Sequence, residues 1–177
     1  MSTLATLTKS GRAAIAEAIA ARPLHLAWGY GLEEWDAITD EELPSLVERT
    51  ELFNEVGRRV SSWTGFAEPD EAGGIVVPTG TLPDGSVEVA RYRQCEEATP
   101  YLFFRVNYDF ADASNAVIRE LGIFMNTETK PELPAGQMYF KPEELQGRGK
   151  LLAAQILRPS ILRSPSVRQT IEFVLPI

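Results

Sequence analysis

The sequence contains few of the residues on which enzyme and metal chemistry most often depends. Its 177 residues include a single histidine, His25, and a single cysteine, Cys95. One cysteine cannot form an internal disulfide, and these two residues together cannot supply the several ligands of a zinc site. The Gly29-x-Gly31 pair lacks the third glycine of a nucleotide-binding loop. We therefore expect that the protein binds neither a metal nor a cofactor. We also expect that it is synthesised in a reducing compartment.

Long apolar runs are also missing. No stretch approaches the roughly 20 apolar residues that a membrane-spanning helix needs. Residues 1–11 do not show the basic and then apolar pattern of a signal peptide. We expect a protein that is made in the cytoplasm and does not insert into membranes.

Acidic side chains outnumber basic ones, and they are unevenly placed. The net charge of −8 argues against nucleic-acid binding, because duplex affinity comes mainly from Lys and Arg on phosphates. Residues 1–90 carry 6 basic and 15 acidic side chains, whereas residues 91–177 carry 11 and 10. This asymmetry suits head-to-tail contacts between subunits, and it also fits two solvated loops of opposite sign. The candidate contact residues are Glu33, Glu34 and Asp36 in an acidic run, and Arg158, Arg163 and Arg168 in a basic segment.

The remaining polar residues do not form a catalytic pattern. His25 lies between Leu24 and Leu26 in a predicted strand, where a histidine is more often structural than catalytic. Nothing local lowers the pKa of the Cys95 thiol. Adjacent carboxylates such as Glu96 and Glu97 would point to opposite faces of a strand and make poor acid–base partners. We therefore expect no enzymatic activity.

The pattern of apolar residues predicts an α+β fold that is mainly β. Residues 7–22 are predicted to form a helix with Thr8 as N-cap, Ile15 and Ile19 on one face, and an end at Pro23. Strands are predicted at 24–28, 55–66, on both sides of a turn at 82–85, at 101–110, 117–125, 151–157 and 167–175. The helix would precede an antiparallel β-sandwich or rolled sheet within a single domain, 1–177. The last two strands, within 150–177, would form a projecting C-terminal β-hairpin.

Charged residues interrupt two of the apolar strands. Arg119 and Glu120 are consecutive and should lie on opposite faces, and the same holds for Arg58 and Arg59. Charges in buried strands are costly unless they are paired. We therefore predict ion pairs among Glu55, Arg58, Arg119 and Glu120, for instance between Arg58 and Glu120. Alternatively, these are edge strands whose charges lie in water.

Four segments carry a family likeness. They read Leu7-Thr-x-x-Gly11-x-Ala-Ala-Ile-Ala-x-Ala-Ile-Ala20, Pro23-Leu-x-Leu-Ala-Trp-Gly-x-Gly31, Thr50-x-Leu-x-Asn-Glu-Val-Gly-Arg58 and Val117-Ile-Arg-Glu-Leu-Gly-Ile-Phe124. In this order they resemble the N-terminal domain of phage tail-collar fibre proteins, over a fibre-attachment-like core of residues 7–125. In that family the domain joins the fibre to the baseplate and performs no chemistry.

The resemblance implies a location in the virion tail, packing as a homo-oligomer (a trimer by analogy with fibres), and baseplate or tail-tip proteins and the tail fibre as partners. The family's glycine- and aspartate-rich segment is replaced here by Leu32-Glu-Glu-Trp-Asp36, and no repetitive shaft follows. We therefore expect a stand-alone tail protein that attaches or bridges fibres. Two alternatives stay open: a fibre-assembly chaperone, and a host-surface or glycan-binding module. The second would use exposed aromatic rings from among Trp28, Tyr30, Trp35 and Trp63.

Overall fold

The computed structural model describes residues 4–39, 42–81 and 86–177. Within these residues the chain forms one α-helix, α1 (Lys9–Ala20), and twelve β-strands. The strands are β1 (Leu24–Gly29), β2 (Glu55–Val60), β3 (Trp63–Pro69), β4 (Ile75–Thr81), β5 (Val87–Cys95), β6 (Tyr101–Tyr108), β7 (Val117–Met125), β8 (Glu128–Thr129), β9 (Tyr139–Phe140), β10 (Leu145–Gly147), β11 (Lys150–Leu162) and β12 (Gln169–Pro176). The predicted turn at 82–85 lies outside the described residues.

The strands form antiparallel sheets. One five-stranded sheet has the order β11-β7-β1-β2-β9, the other has the order β12-β6-β3-β5-β4, and β10 pairs with β8. The predicted fold class, mainly β with an N-terminal helix and antiparallel sheets, is confirmed.

The chain folds as two compact units. One contains residues 1–21, 63–105 and 172–177, and the other contains residues 22–62 and 106–171. A single domain over 1–177 with a core at 7–125 stays a prediction.

In the first unit, α1 begins as the sequence predicts. The Thr8 hydroxyl accepts a hydrogen bond from the Gly11 amide at 3.1 Å, which caps the helix. The helix buries Ala16 fully, whereas Ile15 is 40% exposed. Ile19, which the sequence places on the same face as Ile15, is half-buried, so the closest packing of the helix is at the small Ala16. The sheet of this unit has a core of Ala67, Ile75 and Phe103.

In the second unit, β1 is the central strand of its sheet. It pairs with β2 on one side and with β7 on the other, and all six of its residues are buried. Ala27, Leu52 and Phe124 form a core cluster here, with Leu151 of β11 packed against it. A central strand covered on both faces loses the polar–apolar alternation of a half-buried one.

Two expectations about strand pairing were wrong. The single strand predicted over 55–66 is two strands, β2 and β3, which belong to different sheets. The last two strands do not form a hairpin: β11 pairs with β7, and β12 is the neighbour of β6. Leu151 of β11 and Val174 of β12 each pack against an apolar cluster of their own unit, which two strands projecting from the body could not do.

Candidate functional site

One face of the second unit's sheet carries buried charges. In the register of β1 with its neighbours, Ala27 lies opposite Arg58 and Gly29 lies opposite both Glu55 and Glu120. Paired residues share a face of a sheet, as do alternate residues along a strand. Glu55, Arg58 and Glu120 therefore lie on the same face.

A β-bulge places Glu55 on that face. Trp28 pairs with Gly57 and Gly29 pairs with Glu55, so Val56 is an extra residue in β2. In a regular strand, residues three positions apart point to opposite faces. The extra residue shifts Glu55 onto the face of Arg58.

The fully buried Arg58 is satisfied by four hydrogen bonds. Its Nε and one terminal nitrogen donate to the two carboxylate oxygens of Glu55 at 2.7 and 2.6 Å. The other terminal nitrogen donates to Thr127 Oγ1 at 2.8 Å and to the Arg148 carbonyl at 2.6 Å. The guanidinium also lies 3.8 Å from the ring centroid of Phe124. The expected pair of Arg58 with Glu120 was therefore wrong, and so was the alternative of charges in water.

Glu120 instead anchors the segment that precedes β2. Its buried carboxylate accepts hydrogen bonds from the amides of Phe53 and Asn54 at 2.7 and 3.3 Å, and Arg49 lies 3.5 Å away. Burial raises the pKa of this carboxyl, while the amide bonds and Arg49 oppose the rise. The carboxylate acts as a structural anchor for residues 49–54.

Two glycines of the family-like segments make room for these groups. A Cβ at Gly29 would lie 2.4 Å from Oε1 of Glu120, and one at Gly57 would lie 2.3 Å from the Tyr139 hydroxyl oxygen. Both distances are far inside van der Waals contact. The glycines are thus required by the close approach of the buried Glu120 carboxylate and of the half-buried Tyr139 side chain.

Arg119, on the opposite face from Glu120, binds the segment that contains the acidic run Glu33, Glu34 and Asp36. It donates to Asp36 at 2.9 Å and to the Tyr30 carbonyl at 3.2 Å. Glu33 and Glu34 are exposed in the same 3₁₀ turn, Glu33–Asp36.

The predicted basic contact residues differ in their surroundings. Arg163 is buried and donates to the carbonyls of Asp109, Asp112 and Val167, so its assignment to a surface was wrong. Arg168 is exposed and pairs with Asp109 at 3.0 Å. Arg158 is exposed, and it lines a depression of about 480 Å³ together with Asp36.

Asp36 and Arg158 therefore lie near each other in one molecule. A head-to-tail contact needs its acidic and basic residues on separate surfaces. Asp36 and Arg158 are therefore poorly placed for such a head-to-tail contact.

The two residues considered for chemistry lie in unreactive surroundings. His25 is buried in β1 against Phe140, and burial, followed by the charge of Arg58, lowers its pKa to about 4. Cys95 lines a groove of about 1110 Å³ between α1 and the residues that follow β5. Burial and the nearby Glu68 raise the pKa of this thiol, which disfavours the nucleophilic thiolate. Among the described residues, no group of three or more potential metal ligands occurs.

Two of the four aromatic candidates for glycan binding are buried. Trp28 is covered completely, and Trp35 packs edge-on against Phe53. Tyr30 and Trp63 retain exposed surface. A sugar platform that includes Trp28 or Trp35 is thereby excluded.

The antiparallel pair of β4 and β5 has an exposed aliphatic face that the sequence did not predict. Val76, Val87 and Val89 are 45%, 58% and 42% exposed. Pro78 lies opposite Val89, and Val76 lies opposite Arg91. Because paired and alternate residues share a face, these four aliphatic residues lie on one surface, together with the exposed Arg91 beside Val76. This surface is here called the β4–β5 aliphatic face. The alternate spacing of Val87 and Val89 in the sequence was the signal that could have indicated this face.

The comparison with known protein families identifies the family to which the chain belongs. Residues 4–177 match the family model described as baseplate wedge 3 tail fiber network component. The chain belongs to this family. No curated protein matches it.

This baseplate component is therefore a structural phage protein of the virion tail, as the resemblance to a fibre-attachment family implied. No helix in the described part of the baseplate component is long and apolar enough to cross a membrane. The match extends across both compact units. In a structural component, the functionally important residues are those that stabilise the fold and those that contact other subunits.

Proposed function

We propose that the chain attaches or bridges tail fibres at the baseplate through protein–protein contacts, as a homo-oligomer, with a trimer as the expected state. It is made in the host cytoplasm, catalyses no reaction and binds no nucleic acid. The observation that carries this proposal is the β4–β5 aliphatic face.

The β4–β5 strand pair is well placed to present this face. On its other side, Ile75 is buried, and Val77 and Tyr92 pack against the core that contains Phe103. One side of this strand pair is thus fixed to its own unit, while the other displays the aliphatic side chains and Arg91. A contiguous exposed apolar surface on a soluble protein is typical of an interaction site. Its occupant is a neighbouring baseplate or fibre protein with an apolar patch of its own.

The experiment compares two valine-to-aspartate variants. Val87→Asp puts a charge on the β4–β5 aliphatic face, and Val47→Asp makes the same change at a valine that is 86% exposed elsewhere. Both variants are expected to unfold at temperatures close to that of the wild type, since neither valine is buried. Mass spectrometry of purified tails should find Val87→Asp strongly depleted and Val47→Asp at the wild-type amount.

Three results would count against the proposal. Equal incorporation of both variants would remove the β4–β5 aliphatic face as a contact surface. Absence of the wild-type chain from purified tails would favour the fibre-assembly chaperone. A monomer in both free solution and the tail, seen by sedimentation and in a density map, would contradict the homo-oligomer.

A further inference from the structure

The groove between α1 and the residues that follow β5, here called the α1–β5 groove, lies within the first compact unit. One wall is a face of α1 with Ser10, Ala13, Ala14 and Glu17, which have the i, i+3, i+4, i+7 spacing of one side of a helix. The other wall includes the end of β5 and the segment 96–100. The volume of about 1110 Å³ is as large as that of many pockets that hold small molecules, so it can admit side chains of a partner.

Many of the lining residues have small apolar side chains. Ala13 and Ala14 line the helical wall, and Ala98 and Pro100 line the wall opposite. An alanine side chain extends only one carbon from the backbone, so the space between the walls stays open. Such a surface suits the aliphatic part of an incoming side chain.

Carboxylates lie on both walls of the α1–β5 groove. Glu17 belongs to the helical wall, and Glu96 and Glu97 belong to the opposite wall. All three residues are exposed. Within the part of the chain that the structure describes, none of these carboxylates forms an ion pair or a hydrogen bond. They are therefore available to a cation from outside the chain.

The charge of the groove is acidic as a whole. Arg93 also lines it, but its guanidinium pairs with Glu68, a fourth carboxylate of the lining. Lys9 then remains as the cation beside three unpaired carboxylates. A surface with this charge attracts basic side chains and repels acidic ones. Charge complementarity thus selects a basic occupant.

We propose that the α1–β5 groove receives a segment of a neighbouring baseplate or fibre protein that carries lysine or arginine. This proposal rests on the proposed function, because it names a second contact by which the chain joins the network. Lysine and arginine lay their aliphatic stems along apolar surface while the charged end reaches polar groups. The alanines of the groove contact the stem, and Glu17, Glu96 and Glu97 bind the charged end.

Cys95 allows a test on the unmodified protein. It is the only cysteine of the chain, and it lines the groove. Mass spectrometry of the peptide that contains Cys95 would follow its alkylation by N-ethylmaleimide in the purified chain and in purified tails. We expect alkylation to be at least tenfold slower in tails, because the occupant covers the groove. Equal rates, with the chain shown to be present in the tails, would overturn the occupied groove and leave the proposed function intact.

Two alanine-to-leucine variants separate the groove from the rest of the helix surface. Ala14 and Ala18 are both exposed on α1, but only Ala14 lines the groove. Leucine is a good helix former, so both variants should unfold at temperatures close to that of the wild type. Ala14→Leu partly fills the groove and should be depleted from purified tails at least threefold, whereas Ala18→Leu should be incorporated normally. Normal incorporation of Ala14→Leu, or equal depletion of both variants, would contradict the proposal.

Charge reversal at opposite signs tests the chemistry of the occupant. Glu97→Lys should reduce incorporation into tails at least threefold, since it places a cation where the partner's cation binds. Lys9→Glu adds an acid to the same groove and should not reduce incorporation. The reverse result, with Lys9→Glu depleted and Glu97→Lys unaffected, would show that the occupant is acidic and the proposal wrong.

Occupation by a second copy of the chain has its own signature. If protection of Cys95 rises with the concentration of the purified chain, together with a dimer in sedimentation, the occupant is a second copy and the proposed partner is wrong. Protection that occurs only in tails supports a neighbouring protein.

Discussion

Glu55 and Arg58 form two hydrogen bonds, 2.7 and 2.6 Å long, although they are three residues apart in one β-strand. The bulge at Val56 makes this possible, because it returns Glu55 to the face of Arg58. Both side chains are buried, so each supplies the counter-charge without which the other would be strongly unfavourable. The pair fixes the start of β2 next to the central strand β1.

Removal of the charge at Glu55 should therefore be costly. Glu55→Gln leaves the buried Arg58 guanidinium uncompensated, and we expect a loss of about 3 kcal/mol in the free energy of unfolding. Glu172→Gln is the matched control, since Glu172 pairs with Arg105 at the surface. Exposed pairs contribute roughly 0–1 kcal/mol. Urea denaturation measures both variants, and equal losses would show that burial of the Glu55–Arg58 pair is not what matters.

A methyl group at position 29 should destabilise the same region. The Cβ of Gly29→Ala would lie 2.4 Å from Oε1 of Glu120 and 2.8 Å from its Cγ, so the anchor of Phe53 and Asn54 must move. Overpacking of this kind costs roughly 1–3 kcal/mol. Gly74→Ala is the control, because a Cβ there meets nothing within 4 Å. A thermal melt of Gly29→Ala that matches that of Gly74→Ala would show that the sheet relaxes without cost.

The sequence predicted the features that depend on local pattern. The capping threonine and the proline that follows set the bounds of α1, and the strands β1, β6 and β7 follow from their apolar residues. The opposite orientation of Arg119 and Glu120 follows from alternation alone, and their different partners confirm it.

The sequence did not predict features that depend on pairing between distant strands. Strict alternation separates Glu55 from Arg58, and a single extra residue at Val56 reverses that result. The membership of β11 and β12 in different sheets has no local signature, because each strand reads as apolar and extended. Arg163 looks like a loop cation in a segment with two prolines, and its three carbonyl partners become visible only in the fold.

Arg163 should behave as a structural residue and Arg168 as a surface residue. Arg163→Ala leaves the carbonyls of Asp109, Asp112 and Val167 without their donor and empties buried space beside Trp28, so we expect a loss of about 2–4 kcal/mol. Arg168→Ala breaks only an exposed pair and should cost less than about 1 kcal/mol. Chemical denaturation of the two variants would contradict this account if Arg163→Ala were as stable as Arg168→Ala.

His25 should give the protein an acid-sensitive component of stability. Burial first, and the charge of Arg58 second, lower its pKa from 6.5 to about 4 in the folded chain. Between these two pH values, His25 thus binds a proton in the unfolded chain but not in the folded chain. The contribution of His25 is fully present above about pH 6.5 and is lost as the pH falls toward 4. The shift corresponds to roughly 3 kcal/mol.

The test compares the wild type with His25→Gln, which cannot titrate, by urea denaturation at several pH values. The stability of the wild type relative to the variant should fall by roughly 3 kcal/mol from pH 7 to pH 4 and stay constant above pH 7. Burial raises the pKa of Glu120, which acts in the opposite direction with pH, but this contribution is common to both proteins and cancels in the difference. His25 is the only histidine of the chain, so no other imidazole contributes to the slope. Parallel pH profiles of the two proteins would mean that this imidazole is not kept neutral by its place between β2 and β7.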